Sequence, residues 1–325
     1  MADLWALSDL ATPWAVHVAV TLRIAEHIAD GKTRIAELAS AAGADADSLL
    51  RVLRHLVTKG VFEEPAPGEF ALNDAARQLS GPGRIGLDLN LIGGRMAYAW
   101  STMLTAVKTG RPAYHEVFGR SFWEDLDANP EIAASFDALM GPAGHGTPDP
   151  EVLVNSADWE RIRTVVDVGG GTGALLAEVL RKRPHVRGTL VDLPRTIERS
   201  ADVFESAGVA DRAEAVGQSF FNPLPPGKDV YMMKNVLADW PDPEAQTLLR
   251  RCREAAGRNG RVVLLGGVTP EDRSSPELLM LVLVGGKNRT LEELASLARE
   301  AGLKIQASGR QPSGRFVVEL KAQSS

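Results

Sequence analysis

The chain has 325 residues, 44% of them hydrophobic, and a formal net charge of -6; that suits one large or two ordinary globular domains and supplies no basic field for nucleic acid or an anionic membrane. Its single cysteine, Cys252, excludes an internal disulfide and, within the helical stretch 245–256, reads as a buried apolar residue. The first nine residues carry no lysine or arginine, and no apolar run reaches the ~18 residues of a spanning helix, so neither signal peptide nor membrane segment is expected and the location implied is cytoplasmic.

In chain order, residues 4–27 carry an amphipathic pattern broken at Pro13, residues 35–42 form a short helix, and residues 46–59 place Leu49, Leu50, Leu53, Leu56 and Val57 at helical spacing. Lys59-Gly60 ends that helix, and residues 61–64 and 70–72, flanking Gly68, read as a two-stranded wing. Together these make a mostly α winged helix-turn-helix. Such a module suggests DNA reading, but Arg51, Arg54, His55 and Lys59 are a modest basic set, and the wing is acidic through Glu63, Glu64 and Glu69. A dimerisation or substrate-cap role is expected, and no nucleic-acid partner.

Residues 82–155 read as a helical connector, with Met96, Trp100, Met103 and Leu104 on one stripe and Phe122, Trp123 and Leu126 on another. Phe136, Leu139 and Met140 follow, and a Gly/Pro-rich break spans residues 141–150. From Thr164 the pattern alternates between short apolar runs at 164–168, 189–193, 213–216, 230–233 and 261–265, suited to buried parallel strands, and helical stretches such as 174–183 and 243–256. Residues 304–307 and 316–320 around a Gly/Pro/Ser turn read as a terminal β-hairpin. The fold class is therefore α/β, a Rossmann-like doubly wound sheet whose ligands bind at the carboxyl ends of its strands. The expected domains are 1–95, a connector at 96–155, and 156–325.

The sharpest local signal is the run Val165 to Gly173, a hydrophobic strand entering four glycines within five positions and then a helix. Such glycines permit a tight turn and a close ligand approach. Asp192 closes the second strand, where a carboxylate can hold both ribose hydroxyls of an adenosine. Gly169, Gly171 and Ala174 also satisfy the dinucleotide pattern G-x-G-x-x-A. A nicotinamide cofactor is disfavoured because Asp167 stands beside the turn, where it would repel a pyrophosphate but attract a sulfonium and an amino group. The terminal hairpin and the lack of a hydride-transfer set point the same way. The ligand expected is S-adenosylmethionine (SAM), with S-adenosylhomocysteine as its product.

At this point the whole chain resembles the dimeric plant-type O-methyltransferase family, in its actinobacterial branch acting on polyketide, anthracycline and naphthoate intermediates. The resemblance rests on residues 10–15 (Leu-Ala-Thr-Pro-Trp-Ala), 121–124, 136–140, 167–173, 220–225, Asp239-Trp240 and Gly285-Gly286-Lys287. It implies a SAM-dependent methyltransferase of secondary metabolism or antibiotic biosynthesis, a homodimer through the N-terminal domain, and a small aromatic or polyketide-like substrate. It also implies that Gly169 and Gly171 approach the amino-acid end of SAM, that Asp192 with Leu193 holds the ribose, and that Ser219, Phe220 and Lys234 surround the adenine. Trp240 is expected to pack near the cofactor.

The family's acid–base set is not repeated. Its general-base histidine precedes Asp-Trp, where this chain has Ala238; a glutamate closing the fifth strand is replaced by Gly266 or Gly267, and a second glutamate by Asn288. Three such losses imply transfer by proximity and desolvation to an already nucleophilic acceptor. The alternatives are C- or N-methylation, a SAM-binding member repurposed for hydroxylation, decarboxylation or cyclisation, and a winged-helix regulator. Candidate replacements at the catalytic edge are His145, Asp239 and Asn288. Expected substrate contacts are Trp100, Met103, Phe122, Trp123, Phe136, Met140 and Leu283, and no metal site is expected because no cluster has ligand spacing.

Overall fold

The computed structural model describes residues 3–141, 148–271 and 277–323. The chain folds as two compact units: the first 98 residues with the helix Pro130–Met140, and Ala99–Ala128 with the C-terminal sheet. Residues 96–155, expected as one connector, are thus shared between the units.

In the N-terminal unit the helices Ala11–Thr21, Ile24–Ala29, Ile35–Ala42 and Ala46–Thr58 precede a hairpin of β1 (Phe62–Ala66) and β2 (Glu69–Leu72). Leu38, Leu53, Leu56, Phe62 and Phe70 form its buried centre. Pro13 does not break the first helix; it sits in the opening turn, where a missing N–H costs nothing. The pattern is interrupted instead between the short helix Leu4–Leu7 and Ala11, and at Arg23, whose left-handed φ of 55° separates Ala11–Thr21 from Ile24–Ala29.

The basic side chains of the helix Ala46–Thr58, and Lys59 just beyond it, are all engaged. Arg54 makes a forked pair with Glu64 of the wing at 2.9–3.1 Å, Arg51 pairs with Asp47, His55 meets the Thr12 hydroxyl at 2.8 Å, and Lys59 reaches Asp9 at 3.1 Å.

The C-terminal unit is built on a seven-stranded sheet of β3 (Thr164–Val168), β4 (Arg187–Asp192), β5 (Ala213–Gly217), β6 (Val230–Lys234), β7 (Arg261–Leu265), β10 (Leu303–Arg310) and β11 (Phe316–Ala322). Two short strands, β8 (Val268–Thr269) and β9 (Arg289–Thr290), pair separately. The order is β10-β11-β7-β6-β3-β4-β5, with β11 antiparallel to β7 and β10, and the other five strands parallel. The doubly wound sheet with a terminal hairpin is as expected.

Alternate strand residues enter opposite layers. Val166, Val168, Tyr231, Met233, Val262 and Leu264 pack toward the helices Asp242–Ala256 and Leu291–Glu300, while Val165, Leu190, Val230, Met232, Val263 and Leu265 pack toward Ala174–Lys182. Cys252 is fully buried in the first layer, which pushes its thiol up to about 12. One expectation needs correction: β5 is not a buried strand. It forms the sheet edge, and most of its residues face solvent. The chain winds from β3 outward to β5, then returns to β6 on the other side. The crevice between the carboxyl ends of β3 and β6 is therefore the sheet's switch point.

Candidate active site

The turn after β3 needs glycine for two different reasons. Gly169 and Gly171 have φ of 70° and 64°, in the left-handed region. A Cβ on Gly169 would lie 2.7 Å from Val236 Cγ2 and 3.4 Å from Phe220 Cε1, so its bareness lets the turn close against the segment after β6. Around Gly171 nothing lies within 4 Å of that point, so there the turn presents open backbone.

Asp192 ends β4 with its carboxylate fixed at both oxygens: Gly171 N donates to Oδ2 at 2.8 Å, and Leu193 N to Oδ1 at 2.7 Å. The Gly169 amide donates to the Val191 carbonyl at 2.8 Å. Both glycine amides are thus used within the protein, and the space they leave, rather than a free N–H, is what they offer a ligand.

Asp167 is 1% exposed at the end of β3, and neither oxygen has a well-formed hydrogen bond among the described residues. Burial, reinforced by the Asp192 charge, pushes its carboxyl up to about 7 against the weaker pull of Lys234 and the Leu176 amide. Lys234 ends β6; burial and the Arg315 charge lower its ammonium, with Asp167 opposing. A buried carboxylate without a well-formed hydrogen bond is costly unless a cation completes it. The sulfonium and amino group of SAM have the right charge for that position, and a pyrophosphate does not.

Beside this crevice stands an aromatic cluster. Trp240 meets Phe221 edge-on at 4.8 Å and Phe220 at 6.0 Å, and Trp123 stacks on it at 5.9 Å. The Trp240 indole N–H is buried and has no partner among the described residues. The Ser219 hydroxyl accepts from Phe221 N at 3.3 Å. The sequence-derived cofactor residues Asp167, Gly169, Gly171, Asp192, Leu193, Ser219, Phe220, Lys234 and Trp240 therefore all lie at or just beyond the carboxyl ends of β3–β6.

Trp240 follows the turn Val236–Asp239, which sequence reading did not explain. Its organiser is Arg289, 1% exposed, which donates to the carbonyls of Leu237 at 2.9 Å and Trp240 at 2.8 Å and to Asp242 Oδ1 at 2.8 and 3.0 Å. A Cβ on Gly286 would lie 2.0 Å from the Ala238 carbonyl oxygen, and one on Gly267 would lie 2.9 Å from Ala238 Cβ. The three positions 238, 267 and 286 are therefore in backbone-level contact. Arg289 sits in a polar Lys-Asn-Arg-Thr run that reads as surface. The usable signal was the preceding glycine pair, which announces a close backbone approach.

Among the candidate catalytic residues, Asp239 is largely buried, which pushes its carboxyl up to about 7, and it makes no hydrogen bond among the described residues. Asn288 is engaged instead: its Nδ2 donates to Glu277 Oε1 at 2.7 Å, a partner sequence reading missed. His145 lies outside the described residues.

Of the substrate candidates, Trp100 is 43% exposed, and Met103 opens the helix Met103–Thr109, against which the helix Leu278–Leu283 carrying Leu283 packs. Phe122 is buried between Tyr114 and Trp123. Phe136 and Met140 belong to the N-terminal unit. Among the described residues no helix is long and apolar enough to cross a membrane, and no three metal-binding side chains form a group.

Comparison with known proteins shows the family. An O-methyltransferase domain family matches residues 100–304, and an O-methyltransferase dimerisation domain matches residues 5–80. The chain is 43% identical, over 93% of its length and 92% of the relative's, to 2,7-dihydroxy-5-methyl-1-naphthoate 7-O-methyltransferase of Streptomyces carzinostaticus. It is 39% identical, over 92% and 83%, to aclacinomycin 10-hydroxylase of Streptomyces purpurascens. A crystal structure of an O-methyltransferase from neocarzinostatin biosynthesis, in complex with SAM and 2-hydroxy-5-methyl naphthoic acid, superposes with a TM-score of 0.91 at 42% identity and 99% coverage of both chains. The chain belongs to the SAM-dependent O-methyltransferase family that carries an N-terminal dimerisation domain.

Proposed function

We propose that the protein methylates a hydroxyl group of an aromatic, naphthoate- or polyketide-type acid in antibiotic biosynthesis, and that it does so chiefly by proximity and desolvation. The observation that carries this reading is the buried carboxyl of Asp167 at the switch point, without a well-formed hydrogen bond among the described residues, beside a turn whose amides fix the Asp192 carboxylate. SAM, when bound, supplies a methyl group on a sulfonium that needs no further activation. Asp192 holds the ribose, Phe220 and Trp240 cover the adenosine from water, and Asp167 faces the cationic end. Lys234 and Ser219 border the adenine. The acceptor lies against Trp100, Met103, Trp123 and Leu283, and Arg289 keeps the turn 237–240 in shape beneath it.

No acid–base group stands at the positions of Ala238, Gly266, Gly267 and Asn288, and general-base help is worth only about 10²–10⁴-fold of an enzyme's rate. The larger share comes from alignment in a dry site. One relative is named as the methyltransferase of a dihydroxynaphthoate and another is solved with 2-hydroxy-5-methyl naphthoic acid bound, which supports a hydroxynaphthoate-type acceptor. The N-terminal domain pairs two copies; exposed Leu4, Trp5, Leu7 and Leu10 suit burial in such a dimer.

A second reading is favoured by the similarity to a hydroxylase together with the missing acid–base set: the site retains SAM but performs another reaction. Incubation of the purified protein with SAM and a panel of hydroxynaphthoic acids separates the two. The expected result is one added methyl group per S-adenosylhomocysteine formed. An altered acceptor without S-adenosylhomocysteine would establish the second reading and overturn the first.

A further inference from the structure

We propose that the Glu277 carboxylate, fastened by Asn288, occupies the acid–base position of this site and accepts the proton of the acceptor hydroxyl. The proposal rests on the methyl-transfer reading above and deepens it.

The geometry has four parts. Asn288 stands where the family resemblance leads one to expect a glutamate, and its amide donates to Glu277 Oε1 at 2.7 Å, so a carboxylate enters this place from eleven residues upstream. The other oxygen, Oε2, has no partner among the described residues. Two cations near it among the described residues are engaged elsewhere: Lys287 bridges Asp242 and Glu293 at 3.1 and 3.6 Å, and Arg289 is committed to Asp242 and backbone carbonyls. Finally, Glu277 is the residue from which the helix Leu278–Leu283 starts, and that helix packs against Trp100–Thr102 and Met103–Thr109. Asn288 stands two residues after Gly286, which lies on the backbone of Ala238 and Asp239, while Gly285 lies against Pro112. The carboxylate is thus tied to the acceptor wall on one side and to the catalytic turn on the other.

In the transfer, a bond forms between the acceptor oxygen and the methyl carbon. The carbon–sulfur bond breaks, its electron pair stays on sulfur, and the hydroxyl proton passes to Glu277 Oε2 and then to water. Neutral acceptor, sulfonium and carboxylate become ether, thioether and carboxylic acid, so charge and atoms balance. Asn288 acts through Glu277 and is a positioning residue.

The test is Glu277→Gln, which keeps an oxygen for Asn288 but cannot take a proton. It is assayed in the full-length protein with two acceptors: 1,4-dihydroxy-2-naphthoic acid, and a nitro-substituted hydroxynaphthoic acid whose hydroxyl is ionised at the assay pH. The variant is expected to lose about 10²-fold in kcat on the first and less than about 10-fold on the second. Glu277→Asp is expected to regain part of the first loss, and Asn288→Leu to shift the ratio in the same direction by a smaller factor. Because the readout is a ratio on one protein sample, misfolding would depress both acceptors alike and leave the ratio unchanged. Equal losses on the two acceptors, or none, would overturn the role of Glu277 while leaving methyl transfer standing. A wild type inactive on both would overturn the acceptor reading, and this proposal with it.

Discussion

Asp167 holds the most informative charge in the molecule. Its carboxyl is pushed up to about 7, chiefly by burial and then by Asp192, so the ligand-free fold binds that proton more tightly than the unfolded chain does. Its contribution favours the fold below the unfolded value near 4 and drains away as pH rises through about 7. A cation placed beside it reverses the preference and expels the proton. SAM binding is therefore expected to release close to one proton near pH 6, seen as buffer-dependent heat in calorimetry, and Asp167→Asn is expected to abolish most of that release. A binding heat independent of buffer would remove Asp167 from the cationic end. The place of this residue in β3, just ahead of the glycine turn, was legible in the sequence as an apolar run entering glycines. The environment of Asp239, pushed up by burial alone, was not, since burial depends on long-range packing.

Among the elements, the turn Val236–Asp239 shows how much of a site can depend on one residue outside it. Arg289 supplies donors to the carbonyls of Leu237 and Trp240, which the turn leaves unpaired. Its removal strands those carbonyls, each at a cost of about 1–3 kcal/mol. Arg289→Met is expected to lower unfolding free energy by roughly 3 kcal/mol in urea titration. Lys287→Met, which removes pairs whose side chains are about half exposed, is expected to cost under about 1 kcal/mol. Equal effects would show that Arg289 is no clamp. Strands β3, β4, β6 and β7 were readable as apolar runs, and the helix Ala46–Thr58 as a periodic stripe. β5 was misjudged because apolar composition does not report edge position. The Arg289 contacts and the Asn288–Glu277 pair join residues 11 to 52 apart in sequence, through side chains that no local pattern specifies.

At the level of the molecule, the two units divide the work that the sequence suggested. One carries the winged-helix architecture with its basic helix engaged by Glu64, Asp47, Thr12 and Asp9, and it is matched by a dimerisation domain. The other carries the sheet and every residue of the proposed cofactor site. The architecture was foreseeable because alternating strands and helices admit few topologies. The way residues 96–155 distribute between the units was not, because helical stripes in that stretch do not name their partners. Everything proposed about chemistry depends on SAM resting on the glycine turn with its ribose on Asp192. Calorimetric titration with S-adenosylhomocysteine tests this most directly. The wild type is expected to bind, and Asp192→Ala to bind at least tenfold more weakly, a loss of about 1.4 kcal/mol or more. A wild type without measurable affinity, or a variant that binds as tightly as the wild type, would contradict the account.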